Sequence, residues 1–194
     1  MRTIEDILEQ IQHLEKRLSI EIQKKEEKFL YKVHGKRVRF EEAARQSHKN
    51  LVTGICTYIS NAGLLNIITS PVIWFCLVPA AFLDLVATIY QFICFPAYKI
   101  PKVRREEFII IDHHSLAYLN IMEKLTCVYC SYFNGLIAYV QEIAARTEQY
   151  WCPIKHARKI GNIHSRYKKF LEYGDAKGYR ENIENIRRDF KDLG

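Results

Sequence analysis

Asn120, Glu123, Cys127, Cys130 and Asn134 follow one another at steps of 3, 4, 3 and 4, the spacing that stacks side chains on one face of an α-helix. A core stripe would carry Leu or Ile at those positions; this one carries amide, carboxylate and thiol. Glu142, Arg146, Glu148, Cys152 and His156 come further along, and His113 and His114 precede the set. Thiolate, imidazole and carboxylate each offer a lone pair, and thiolates favour zinc, iron or copper over magnesium. Cys127 and Cys130 with Cys152 and His156 have the composition of a Cys3His site for zinc or iron. A second ligand set comprises His113, His114, Glu123, Glu142, Arg146 and Glu148.

Whether either set converges depends on the helix that carries it. Asp112 or Ser115 is the expected cap of a helix from about Leu116, which either runs to Tyr150 or breaks at Asn134-Gly135. A continuous helix would hold Cys130 and Cys152 roughly 33 Å apart. An antiparallel fold at Asn134-Gly135 would instead bring Glu123 near Arg146, Cys127 near Glu142 and His113 near His156. The four ligands of the first set meet only if the chain after Pro153 doubles back. The same residues also fit a buried structural network, in which Cys127 and Cys130 pack, Glu123 forms an internal salt bridge with Arg146, and His156 is one more cation of the basic tail. A redox dithiol is the weakest reading, because a helix-interior Cys127/Cys130 pair lacks the activation that a helix N-terminus supplies. No Gly-rich phosphate loop, GxSxG elbow or HExxH motif occurs, which removes the usual support for nucleotide hydrolysis, serine hydrolase and zincin chemistry.

The elements that must position these groups are dominated by one long apolar run. The 194 residues carry a net charge of +7, but from Asn50 to Tyr98, a stretch of 49 residues, the only charged side chain is Asp84. Basic residues flank that run: Lys32, Lys36, Arg37, Arg39, Arg45 and Lys49 before it, Lys99, Lys102, Arg104 and Arg105 after it. Basic flanks at both ends predict that both lie in the cytoplasm, through two crossings or a re-entrant dip. A fully helical run of this length would extend roughly 73 Å, too long for one crossing of a core about 30 Å thick. The expected arrangement is a hairpin turning near Trp74 to Pro79, with arms Leu51–Ile73 and Ala80–Phe95. The polar stripe Asn50, Thr53, Thr57, Ser60 and Asn61 suits an interfacial first arm better than a buried one. Asp84 is a functional suspect as an ionisable group in such a segment. The competing arrangement is a buried hairpin of a soluble helical protein.

The other segments read as follows. Residues 1–29 form an amphipathic, coiled-coil-like helix with Ile4, Ile7, Ile11, Leu14 and Leu18 as its seam, suited to self-association, a protein partner or docking on the body. Residues 30–49 are a basic hairpin around His34-Gly35 followed by a helix from Glu41 that runs into the apolar region. Residues 50–98 are the membrane hairpin, 99–156 the Cys/His/Glu region, and 157–194 a basic tail. The tail is expected to form two amphipathic helices, the first carrying Ile160, Ile163, Tyr167 and Phe170, the second Tyr179, Ile183, Ile186 and Phe190. The start MRTIEDILEQ lacks the features of a cleavable signal, so the six cysteines are expected as reduced thiols. The class is all-α with one small β-hairpin. Basic residues beside a membrane segment account for the charge more simply than nucleic acid does, and no nucleic-acid module is present.

The blocks EKLTCVYCSYFNG (Glu123–Gly135) and EIAARTEQYWCPIKHA (Glu142–Ala157), behind IPKVRREEFIIIDHH, resemble a family of small, functionally uncharacterised bacterial membrane-associated proteins. That resemblance covers about Phe95 to Lys159 and implies a bacterial inner-membrane location, without an activity. Two functions follow as expectations. One is a cytoplasmic-face metalloprotein anchored in the membrane, acting as an enzyme on a lipid, quinone or other amphiphile. The other is a non-catalytic membrane adaptor or accessory subunit.

Overall fold

The computed structural model describes the backbone of residues 4–35 and 37–193, and the side chains of residue 10 and of 13–35 and 37–193. Helices dominate: α1 (Ile4–Phe29), α2 (Glu42–Lys49), α3 (Ile55–Ala62), α4 (Leu64–Phe75), α5 (Leu77–Tyr98), the single turn α6 (Arg105–Phe108), α7 (Ile121–Trp151) and α8 (Ala176–Arg188). One antiparallel pair joins β1 (Tyr31–His34) to β2 (Arg37–Phe40). The chain divides into two compact units, Met1–Asn61 with Asp112–Leu125, and Ala62–Ile111 with Thr126–Gly194.

In the first unit the alternation of apolar and basic residues between Phe29 and Phe40 produces the expected hairpin, with Tyr31 opposite Phe40 and Val33 opposite Val38. An aromatic row ties it to its neighbours: Tyr31 packs on Phe40, Phe40 on His48 of α2, and His48 edge-on against Tyr118. The helix expected to run from Glu41 into the apolar region stops at Lys49. Asn50 and Leu51 donate to the carbonyls three residues back, Ser47 and His48, a tightening that closes a helix rather than extending it. On α1 the side chains of Ile4, Ile7 and Ile11 lie outside the described residues; Leu14 and Leu18, the rest of that seam, are exposed.

α7 begins at Ile121, not near Leu116. Its start is set by a reciprocal cap, in which Glu123 N–H donates to Asn120 Oδ1 (3.0 Å) and Asn120 N–H donates to Glu123 Oε2 (2.8 Å). That is a capping box, which satisfies two otherwise orphaned donors at once. Asn120 Nδ2 also donates to the Thr53 carbonyl, fixing the segment before α3.

In the second unit the core gathers Ala80, Ala87 and Phe95 of α5, Ile100 and Val103 of the segment after it, Leu136, Tyr139 and Ile143 of α7, and Phe190. α7 is continuous through Asn134-Gly135, where a break was an open alternative. Gly135 is buried, and a Cβ there would stand 2.6 Å from the Phe108 carbonyl oxygen and 2.9 Å from Ile109 Cα. The glycine therefore serves close approach of a second backbone, not chain reversal.

The expected first tail helix does not form. Leu171 pairs in parallel with Ile154 through Leu171 N–H to Pro153 O and Lys155 N–H to Leu171 O, both 2.8 Å. Buried Arg166 donates to Gln149 and to both oxygens of Asp192. These tertiary contacts override the helical spacing of Ile160, Ile163, Tyr167 and Phe170, leaving only a 3-10 turn at Tyr167–Lys169. The second tail helix is α8, capped by Asp175, whose Oδ1 accepts from Gly178 N–H at 2.8 Å.

Candidate membrane-anchoring site

Among the described residues, one helical stretch, Leu64–Tyr98, is long and apolar enough to cross a membrane; its mean hydropathy reaches 2.2 and only 11% of that window is buried. Gly63, at φ 77, separates it from α3 in a conformation that L side chains rarely adopt. The expected chain reversal at Trp74–Pro79 is absent. The only interruption is Cys76, itself right-handed helical at φ −62 and ψ −16, and reversal into a helical hairpin takes a loop of two to five residues. The interruption follows from Pro79, which has no N–H for the Phe75 carbonyl four residues back and whose ring crowds that carbonyl.

α5 has two unlike faces. Ala80, Ala87, Gln91 and Phe95 are buried, while Phe82, Leu85, Val86, Ile89, Phe92 and Ile93 are exposed at spacings of one helical face. On the buried side the chain turns back at Lys99, a left-handed residue at φ 58. Ile100 N–H donates to Phe95 O and Lys99 N–H to Pro96 O, the paired bonds of a Schellman motif, here without its usual glycine. Residues 100–105 then run back along α5. Gln91 receives them: its Oε1 accepts from Val103 N–H (2.6 Å), and its Nε2 donates to Val103 O and to Tyr139 Oη.

Further along the same return path Arg105 reaches Asp84, with Nη2 to Oδ2 at 2.6 Å and Nε to Oδ1 at 3.3 Å. Tyr132 Oη donates to Oδ2 (3.0 Å) and Thr88 Oγ1 to Oδ1 (3.4 Å). Asp84 is thus the hub of a polar clamp joining α5, the return segment and α7, at 14% side-chain exposure. The hydrogen bond to Asp84 raises the Arg105 pKa above the ordinary guanidinium value, and burial, followed by the neighbouring Asp84 carboxylate, pushes the Tyr132 phenol up. Arg104 adds ion pairs to Glu106 (2.6 Å) and Glu107 (3.3 Å), so this end of the return segment is densely charged. The clamp offers hydrogen-bonded, charge-paired groups, a positioning device more than a nucleophile or base.

The continuous α7 decides the fate of the two ligand sets. Cys127 and Cys130 are 22 or more residues from Cys152, roughly 33 Å along one helix, and His156 follows Cys152. Among the described residues no group of three His, Cys, Asp or Glu side chains is placed to hold a metal. All six cysteines are free thiols. Glu123 is half of the α7 cap. Glu142 and Arg146 pair with each other at 2.8 Å, Arg146 also donating to the carbonyls of Pro101 and Lys102 and Glu142 accepting from Ser165. Glu148 holds His164 at 3.1 Å, and the His156 ring stacks on Tyr167. His113 lies 3.3 Å from Asp112, and His114 lines a cleft of the first unit. Arg146 thus pairs with Glu142 one turn away on the same helix, not with Glu123, which caps α7.

Three buried polar residues organise the second unit: Gln91, Gln149 and Arg166. Gln91 alone had a signal, as a long amide inside an uncharged run. Comparison of the chain with protein-family models, with curated proteins and with solved structures found no match.

Proposed function

We propose that the protein is a membrane-anchored, non-catalytic adaptor or accessory subunit, held in the bacterial inner membrane from its cytoplasmic face. The observation that carries this reading is the exposed apolar surface of α4 and α5, left uncovered by the rest of the chain. The polar clamp limits how deep that surface goes. Arg104, Arg105, Glu106 and Glu107 are tied to the level of Asp84. If Asp84–Tyr98 crossed the bilayer, these charges would enter hydrocarbon at about 2.5 to 3.5 kcal/mol for each Arg or Asp-like group at the centre. The part free to enter is Leu64–Leu83, roughly 30 Å if straight, and it is broken at Cys76. With basic residues on both sides and no chain reversal inside the stretch, an orientation along the membrane surface keeps both flanks on the entry face and satisfies the positive-inside preference, whereas a single crossing would not. The outer face of α5 then lies in the interface, with Lys102 Nζ 4.5 Å from the Phe92 ring centroid at its edge. The exposed Leu14 and Leu18 of α1 and the basic tail are the surfaces left for a protein partner or a second copy.

The test is flotation of the full chain with phosphatidylcholine vesicles and its resistance to alkaline carbonate washing. Wild type is expected to float and to resist the wash. The pair Val72→Asp and Val78→Asp, on exposed positions of the broken stretch, should reduce floated protein at least tenfold. Wild-type protein that stays in the soluble fraction would refute the anchoring.

A further inference from the structure

We propose that a basic cleft in the first unit binds the phosphate of an anionic lipid headgroup. The cleft, about 510 Å³, is walled by Arg39 on β2, Arg45 and Lys49 on α2, His114 and Ser115 in the 3-10 turn His113–Ser115, and Lys124 on α7. Four permanent cations line it, and among the described residues no carboxylate does. Glu42 stands 4.0 Å from Arg45, both side chains being exposed.

Gathering like charges this way carries an electrostatic cost, and a bound phosphate relieves it. A guanidinium grips phosphate oxygens in a planar two-pronged way, while ammonium groups supply compact point charge. Ser115 adds a hydroxyl donor and His114 a ring nitrogen. The walls are held independently of any ligand: Phe40, His48 and Tyr118 pack in a row behind them, and the capping box fixes the turn of α7 that carries Lys124.

A lipid is the source because of what borders the cleft. Lys49 leads directly into Leu51, Val52, Ile55 and Ile59, all exposed, and the Asn120 side chain pins this segment through Thr53 O. Apolar residues beside a basic hollow suit a ligand with a charged head and an apolar tail. This inference rests on the membrane reading given above, and its test separates the two.

The full chain in non-ionic detergent is titrated by calorimetry with dihexanoyl phosphatidic acid, dihexanoyl phosphatidylcholine and inorganic phosphate. Phosphatidic acid should bind at least about tenfold more tightly than phosphatidylcholine, and more tightly than inorganic phosphate. The pair Arg39→Gln and Lys124→Gln, and separately Arg45→Gln and Lys49→Gln, should each weaken phosphatidic acid binding about tenfold or more. The control Arg158→Gln with Lys159→Gln removes the same charge from the exposed tail and should change it less than twofold. Equal losses in control and cleft variants would mean diffuse attraction and overturn the site. Inorganic phosphate binding as tightly as phosphatidic acid would overturn the lipid source. Wild type that floats on phosphatidylcholine vesicles yet shows no preference for phosphatidic acid overturns the headgroup site while leaving the anchoring intact. Wild type that neither floats nor binds phosphatidic acid overturns both.

Discussion

Arg105 forms a two-pronged pair with Asp84 across 21 residues of sequence, 2.6 Å at Nη2–Oδ2 and 3.3 Å at Nε–Oδ1. The pair fixes the only charge of the apolar run to the basic segment that follows it. Asp84→Asn should therefore loosen the return segment. Because Arg105 is about half exposed, screening keeps the cost near 1 kcal/mol, a fall of about 3 °C in Tm for a chain of this size. A double-mutant cycle of Asp84→Asn with Arg105→Gln, followed by thermal unfolding in detergent, should show that the second substitution adds little to the first. Fully additive losses would mean that the pair contributes nothing as a pair.

Lys99 occupies the left-handed position of a Schellman motif at φ 58, where glycine avoids a steric penalty of about 1 kcal/mol or more. Lys99→Gly should raise stability by up to about 1 kcal/mol, the gain being offset in part by the larger backbone freedom of glycine when unfolded. Chemical unfolding of both proteins measures the difference, and a clear loss of stability would show that the turn tolerates Lys without strain.

Gly135 faces the backbone of Phe108 and Ile109 at distances that no Cβ can share. Gly135→Ala should destabilise by about 1 to 3 kcal/mol, since the helical preference for alanine cannot offset overpacking against backbone. An unfolding midpoint at or above wild type would show that the return segment is free to move away.

Acid should release the tail. A hydrogen bond from Lys169 holds Asp189 below its ordinary value of 3.8, and hydrogen bonds from Arg166, with help from Lys169, hold Asp192 well below it. The folded state therefore favours the carboxylates. Their contribution is fully present above about pH 3.8 and declines as pH falls from there toward the folded values. Hydrogen exchange in α8 should accelerate below pH 4 after correction for intrinsic rates, and less so in Asp192→Asn, which has already lost the carboxylate. Exchange in α8 that is independent of pH through this window would contradict the role of these ion pairs.

Local patterns were readable where local contacts decide the structure. The alternation from Phe29 to Phe40 specified the hairpin, and the spacing of Tyr179, Ile183, Ile186 and Phe190 marked α8. The uncharged run marked α4 and α5 but not their path, because one proline, Pro79, breaks the helix without reversing it. The site was less legible. Asn120 and Glu123 share a helix face with Cys127, yet three-residue spacing of Asn and Glu is also that of a capping box, and only the location of the helix start separates the two. The path of residues 100–105 was hidden, since Gln91, Val103 and Tyr139 meet through hydrogen bonds between distant segments. Arg166 reaches Gln149 and Asp192 in the same non-local way, which is why helical periodicity in the first half of the tail misled.

If Leu64–Leu83 is embedded along the membrane surface, both of its flanks lie on the same face. Lys49→Cys and Arg104→Cys, placed one at a time in a background without other cysteines, report the two flanks to a membrane-impermeant maleimide. Both positions should react in inside-out inner-membrane vesicles, and neither should react in spheroplasts with an intact inner membrane. Reaction of the two positions from opposite sides would establish a single crossing and contradict the claim.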